Sequence, residues 1–201
     1  MNFQLETSQD YFAVETLTRE AFWNVYQPGC SEHLILHQLR KSPAFIEELS
    51  YLAREDSQII AHIAYTKLYR DDKLSEDVIA FGPLSVHPAH QKKGIGRKLI
   101  QLTIEEARRL GFKAILITGS PDYYQASGFK PAKSFGLTLA GLPLDEEAPY
   151  FLAYEIIPGY CSSHLGTYSF APEFSVTAAD LEAFEQHFPK KEKRAPKETD
   201  V

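Results

Sequence analysis

The sequence is poor in sulfur, with two cysteines and one methionine among 201 residues. Cys30 and Cys161 have no ligand-like spacing, which argues against a disulfide framework or a cysteine-held metal. Both read as free thiols of a reducing cytoplasm. No apolar run approaches the roughly 20 residues of a membrane span. The opening stretch MNFQLETSQDYF lacks the basic, apolar and small-residue zones of a secretory leader. A cytoplasmic protein with no membrane partner is expected. Positive charge is also scarce. The net charge is −6, and because the last twelve residues carry +2 the body carries −8. Such a body argues against a nucleic-acid partner and mildly favours a cationic or neutral substrate.

A mass of 22.8 kDa suits one domain with a small appendage. Leu17, Ala21, Phe22 and Val25 recur at helical spacing over residues 15–26, and Pro28-Gly29 ends that run. A second helix is expected over residues 31–40 with Ser31 as N-cap. Two strand-like runs, ELSYLARED and QIIAHIAYTKLYR, flank a polar turn and predict a hairpin. DDKLSED reads as a charged loop. VIAFGPLSV reads as a long strand with a bulge or kink at Gly82-Pro83, since proline has no N–H to donate. Leu99, Ile100, Thr103, Ile104, Ala107 and Leu110 share one helix face, Gly111 ends that helix, and KAILIT follows as a strand. A strand, a helix and a strand in this span predict a right-handed parallel crossover. PDYYQASGF reads as a short helical turn. KPAKSFGLTLA and YFLAYEII read as strands around an acidic loop, and TAADLEAFEQHF as a late helix capped by Thr177.

The chemistry concentrates in SVHPAHQKKGIGRK. The first turn of a helix carries unpaired N–H groups and a partial positive charge. Gly94 and Gly96 remove side chains that would hold a phosphate away, and Lys92, Lys93, Arg97 and Lys98 add counter-charge. The alternative is a glycine-rich turn with a solvated basic face. The pattern G-x-x-x-x-G-K-[ST] is absent, and G-x-G-x-x-G lacks its third glycine because Leu99 stands there.

What remains, Gln91-Lys92-Lys93-Gly94-Ile95-Gly96 after LSVHP, resembles the acetyl-CoA-binding signature of the GNAT superfamily of N-acetyltransferases. YYQASGF is similar to the late Y-x-x-x-G-F segment of the same superfamily. The combination is most similar to a bacterial subgroup of predicted N-acetyltransferases. It extends over about residues 1–158 and is strongest from Ala80 to Phe129. The resemblance implies an α/β fold: a mixed, mostly antiparallel twisted sheet with helices on both faces, splayed between its fourth and fifth strands. It implies acetyl transfer from acetyl-CoA, as co-substrate, to an amine by direct attack in a ternary complex. Position by position, it assigns Leu84, Ser85 and Val86 to the pantetheine and thioester, with the Val86 N–H facing the carbonyl. It assigns Gln91, Lys92, Lys93, Gly94, Ile95, Gly96, Arg97 and Lys98 to the pyrophosphate. Tyr124 becomes the acid toward the departing sulfur.

The base stays open among Glu32, Glu47 or Glu48 at a strand start, His62 within IIAHIAY, and a water chain. His33 and His37 could face one ion, but no third ligand lies nearby and no metal is expected. The acceptor could be a small-molecule, peptide or protein amine, and a homodimer is left open. Rival readings are a non-catalytic acetyl-CoA-binding or partner-binding module, favoured if Trp23 or Phe22 blocked an acceptor pocket, and an ATP-binding protein. The expected organisation is a transferase domain over 1–158, a C-terminal extension with the late helix over 159–189, and a disordered tail over 190–201.

Overall fold

The computed structural model describes residues 1–143 and 146–196. Strand β1 (Asn2–Leu5) leads into helix α1 (Tyr11–Phe22), and Asp10 takes the Thr7 N–H and hydroxyl at 3.0 and 2.8 Å to fix the approach. The helix starts earlier than the apolar spacing suggests and stops before Val25, because Trp23 turns extended and Asn24 adopts φ 61°. Helix α2 (Glu32–Leu39) follows. Ser31 sits at its N-cap without a side-chain cap bond; its N–H instead donates to Glu32 Oε2 at 2.9 Å.

Strands β2 (Tyr51–Glu55) and β3 (Gln58–Arg70) form the expected antiparallel hairpin. Strand β4 (Lys73–Val86) is longer than expected. The DDKLSED segment is a loop only at Asp71 and Asp72, which take left-handed backbone, and Lys73 and Leu74 already pair with Arg70 and Tyr69. The β3–β4 register shifts between Ile63 and Tyr65, so Gly82 and Pro83 form the expected irregularity. Helix α3 (Ile95–Arg109) buries Leu99, Ile100, Thr103, Ile104 and Ala107. Leu110 lies 48% exposed, because Gly111 ends the helix before that turn can face inward. The chain continues through β5 (Ala114–Thr118), α4 (Pro121–Tyr124), β6 (Lys130–Pro131), β7 (Thr138–Leu139) and β8 (Phe151–Glu155). KPAKSFGLTLA is therefore not one strand: a 3-10 turn over Ala132–Phe135 and left-handed Gly136 divide it. The acidic loop after it includes residues 144 and 145, outside those described.

The strands lie in the order β1-β2-β3-β4-β5-β8-β6, antiparallel except between β4 and β5 in the main path. One face packs Ala61, Ile63, Tyr65 and Phe81 against α3; the other packs Leu52 and Ala64 against α1 and α2. Tyr65 and Thr103, both fully buried, tie β3 to α3 through a 2.9 Å hydroxyl bond. Beyond β8 come α5 (Tyr160–Ser163), β9 (Thr167–Ser169) and α6 (Ala178–Glu185). β9 pairs with both β3 and β7, so this stretch joins the sheet. Thr177 caps α6 by accepting the Asp180 N–H at 3.1 Å. Residues 190–194, expected to be disordered, lie against α1 because Trp23 and Asn24 offer donors and an acceptor to their backbone. Residues 197–201 of that tail lie outside those described. Among the described residues, no helix is long and apolar enough to cross a membrane.

A buried polar knot ties the first helices to the sheet. Glu6 accepts from Arg40 and from Ser50 Oγ at 2.8 Å, and His62 Nε2 stands 3.1 Å from the same hydroxyl. Burial alone would raise the Glu6 carboxyl, but His62 and Arg40 together pull it down to about 2. A carboxylate held below its ordinary value adds stability that is present above pH 4.5 and is lost as pH falls through about 2. Replacing Glu6 by Gln should therefore cost about 3 kcal/mol at neutral pH. It should also flatten the acid limb of stability between those pH values, as read by urea unfolding across the range.

Candidate active site

β4 and β5 share only two paired positions, Val78–Ala114 and Ile79–Ile115. Beyond them the two strands continue to Val86 and Thr118 without a common ladder. The backbone of β4 along this gap follows from its pairing with β3. His87 N–H donates to the Ile60 carbonyl at 2.8 Å, which makes Ile60–His87 a hydrogen-bonded pair. Pairs alternate along an antiparallel ladder, so Ala61–Val86 and Ile63–Leu84 are the non-hydrogen-bonded ones. The N–H and C=O groups of Val86 and Leu84 thus turn away from β3, into the gap beside β5.

The start of α3 closes one side of this gap. Gly94 takes φ 78° at its N-cap, and a Cβ built there would meet nothing within 4 Å. The first helical bond runs from Lys98 N–H to the Gly94 carbonyl, so the N–H groups of Ile95, Gly96 and Arg97 have no intrahelical acceptor. A Cβ built on Gly96 would stand 2.7 Å from the Tyr123 hydroxyl, 3.5 Å from the Val86 side chain and 3.6 Å from that of Leu84. Glycine there lets helix, strand and α4 converge. Lys92, Arg97 and Lys98 are exposed, with no side-chain hydrogen bond or ion pair among the described residues, and the Arg97 charge reaches the Tyr123 phenol.

Tyr124 fills the fork. Its ring centroid lies 5.7 Å from Phe81 on β4 and 5.8 Å from Phe129, and it packs so closely on Gly119 that a Cβ there would clash with its ring. Burial first, then the neighbouring Tyr123 and Tyr26 phenols, raises its hydroxyl well above the ordinary tyrosine range. It keeps its proton at neutral pH. Tyr123 was not legible as a site residue. Adjacent residues on a helical turn point about 100° apart, so one tyrosine of the doublet enters the fork and the other reaches Gly96.

Several expected side chains face elsewhere. Ser85 is fully buried on the α1 side, where its hydroxyl donates to Thr18 at 2.9 Å; strand alternation puts it opposite Leu84 and Val86. Ile95 belongs to the core under α3, so only its backbone reaches the gap. Gln91 Nε2 donates to the Val86 carbonyl at 3.1 Å and Lys93 Nζ to the Ala89 carbonyl at 2.9 Å, so both side chains brace the turn. Among the candidate bases, His62 is locked in the Glu6–Ser50 knot. Glu48 is exposed on a 3-10 turn over Glu47–Leu49, not at a strand start. Glu32 stands at the start of α2. Burial raises its carboxyl, moderated by backbone N–H bonds including that of Ser31. Its charge reaches the Tyr26 phenol, and Tyr26 in turn influences Tyr124. His33 and His37 are occupied differently: His33 Nε2 lies 2.7 Å from Glu185 and His37 Nδ1 2.9 Å from Glu15. Trp23 turns to the C-terminal segment, and its indole donates to the Glu192 carbonyl at 2.8 Å.

Comparison with known proteins gives the architecture a context. An N-acetyltransferase of Escherichia coli named YjhQ, itself uncharacterized, is 32% identical over 100 residues, covering 49% of this chain and 55% of the relative. The L-methionine sulfoximine/L-methionine sulfone acetyltransferase of Salmonella typhimurium is 38% identical over 81 residues, covering 31% of this chain and 47% of the relative. The chain spans about half the length of these curated relatives. The GNAT family N-acetyltransferase YhbS of Escherichia coli, solved with CoA, superposes with a TM-score of 0.76 at 19% identity, covering 86% of this chain and 91% of that one. A GNAT family acetyltransferase of Brucella melitensis, solved with acetyl-CoA, gives 0.70 at 27% identity, covering 87% and 97%. Residues 12–129 match the acetyltransferase (GNAT) family, and the chain belongs to it.

Proposed function

We propose that this chain transfers an acetyl group from acetyl-CoA to an amine, within the cytoplasm. The observation that carries this reading is the parting of β4 from β5 after Ile79 and Ile115, which leaves the Val86 N–H facing the gap beside the α3 N-terminus. The gap fits the co-substrate: open space at Gly94 and three unclaimed N–H groups suit a pyrophosphate, with Lys92, Arg97 and Lys98 around it. The neighbours solved with CoA and acetyl-CoA support the same choice. The Leu84 and Val86 backbone would hold the pantetheine arm in strand fashion, with Ser85 contributing through its main chain alone.

The chemistry then asks three things of the chain. The amine, a cation at neutral pH with a pKa near about 10, must lose a proton. Glu32 attracts it, and a carboxyl raised by burial is a better acceptor for that proton than an ordinary one. The thioester carbonyl gains negative charge on attack, which the fixed Val86 N–H stabilises. The sulfur leaves as a thiolate, and Tyr124, protonated and placed in the fork, donates to it. The acceptor class is a small molecule or peptide bearing a primary amine. The relative that acts on L-methionine sulfoximine and L-methionine sulfone favours the small molecule.

Calorimetric titration with acetyl-CoA tests the reading, with ATP as control. The native chain should bind acetyl-CoA and not ATP. Gly96→Val should weaken acetyl-CoA by about tenfold or more, since the side chain pushes aside Tyr123 and fills the helix end, while the fold survives because a flexible phenol yields. Normal affinity in that variant would place the phosphates elsewhere. Tyr124→Phe keeps the ring packing and should lower turnover about a hundredfold with little change in acetyl-CoA affinity. Unchanged turnover would make Tyr124 structural. Glu32→Gln should remove the acid limb of the pH–rate profile, a limb expected above the ordinary carboxylate range. An unaltered profile would exclude Glu32 as the base.

A further inference from the structure

The turn between α1 and α2 carries Tyr26 and leads into Glu32 at the start of α2, and few bonds of its own hold it. Asn24 N–H donates to the Gly29 carbonyl at 2.8 Å, and Gly29 N–H returns a 2.8 Å bond to Asn24 Oδ1. Tyr26 at the tip is 63% exposed. Beyond this neck the turn keeps a 3.1 Å bond from Val25 N–H to the Phe22 carbonyl and a 3.5 Å bond from Gln27 Nε2 to Ser31 Oγ, and an exposed turn with so few bonds gains conformational entropy when released.

The C-terminal segment supplies the missing restraint. The Glu192 carbonyl accepts from Trp23 Nε1 at 2.8 Å and from Asn24 Nδ2 at 3.1 Å, and Arg194 N–H donates to Asn24 Oδ1 at 3.1 Å. One side chain, Asn24, therefore closes the neck of the turn and joins it to the tail. Lys193 lays its stem over Gly29, 3.1 Å from where a Cβ would stand. Below, Arg19 forms a two-pronged pair with Glu185 at 2.8–3.2 Å, donates to the Pro189 carbonyl at 3.2 Å and stacks 4.1 Å over Trp23. Phe188 stacks on Phe12 with centroids 5.4 Å apart. Among the described residues, no hydrogen bond or ion pair of residues 185–194 reaches the glycine turn or Tyr124.

We infer that residues 185–194 form a positioning strap for the acceptor side of the site, holding the Asn24–Gly29 turn that carries Tyr26 and leads into α2 at Glu32. The inference rests on the acetyl-transfer reading for its catalytic meaning. Its physical logic is pre-organisation: a turn already ordered by the strap costs an incoming amine less to engage. The strap acts on acceptor binding and leaves acetyl-CoA binding alone.

Trp23 is the one tryptophan of the chain, and it lies beneath the strap. Two full-length variants test the proposal. Arg194→Pro removes the N–H given to Asn24 and keeps Trp23 as a fluorescent reporter. Trp23→Phe removes the indole donor and keeps an aromatic ring under Arg19. In Arg194→Pro, Trp23 emission should shift to longer wavelength, and in both variants amide hydrogen exchange across residues 24–29 should quicken by about tenfold. The acetyl-CoA dissociation constant should stay within about twofold. KM should rise about fivefold, with kcat changing less, for whichever amine in a panel of amino acids, diamines and short peptides the native chain acetylates fastest. Unchanged exchange would overturn the strap as a restraint on the turn. Faster exchange with unchanged amine KM would overturn its role in acceptor binding. Native protein that binds no acetyl-CoA would overturn the acetyl-transfer reading itself, and the strap's part in acceptor binding would fall with it.

Discussion

β4 and β5 stay together for two residue pairs and then separate. A parallel ladder would normally continue and consume the backbone groups of both strands. Here it stops where bulky side chains intervene. Phe81 on β4, Tyr124 from α4 and Phe129 pack ring against ring in the fork, with centroids 5.7–5.8 Å apart. Pro83 removes one donor from β4, and the irregular register around it leaves Leu84 and Val86 aimed across the fork. Backbone polar groups facing a gap demand partners. In the proposed function the acetyl-CoA arm would answer that demand, with the α3 N-terminus beside it to face an anion.

The titratable groups divide into two sets with different work. Glu6, Arg40, Ser50 and His62 lie on the α1 and α2 side of the sheet and satisfy one another. They fasten helices to strands, and that explains why a histidine in the middle of β3 is structural. Tyr124 lies in the fork, and Glu32 stands at the start of α2 after the first turn. Burial raises both, which keeps the phenol protonated and makes the carboxyl more basic. Cys30, beside His33, is pushed far up by burial and then by Glu32 and Glu185, so it stays a thiol. Desolvation thus raises all three groups, and only for Tyr124 and Glu32 does the proposed reaction give the shift a use.

Much of this was legible in the chain itself. The hairpin, the α3 face from Leu99 to Ala107, the kink at Gly82-Pro83 and the Thr177 cap depend on near neighbours in sequence, and the structure reproduces them. Gly94 at the α3 N-cap is legible in the same way, since its left-handed backbone is local, whereas the need for glycine at 96 comes from Tyr123, Val86 and Leu84. Leu84 and Val86 follow from strand alternation once β4 is recognised.

Other features come from residues far apart in sequence. Ser85 and Ile95 sit within the motif, yet Thr18 and the core under α3 decide where their side chains go. The fate of His62 waits on Glu6 and Ser50, and the order of residues 190–194 waits on Trp23 and Asn24. A charged, proline-containing tail carries no periodic signal, and a backbone carbonyl such as that of Glu192 has no sequence signature at all. Sequence by itself determined most of the elements and the glycine turn that opens α3, because both arise from local backbone geometry and spacing. Only tertiary structure decided which side chains open on the gap, because that depends on burial and on partners such as Thr18 for Ser85 and Tyr123 for Gly96, brought together from tens of residues apart.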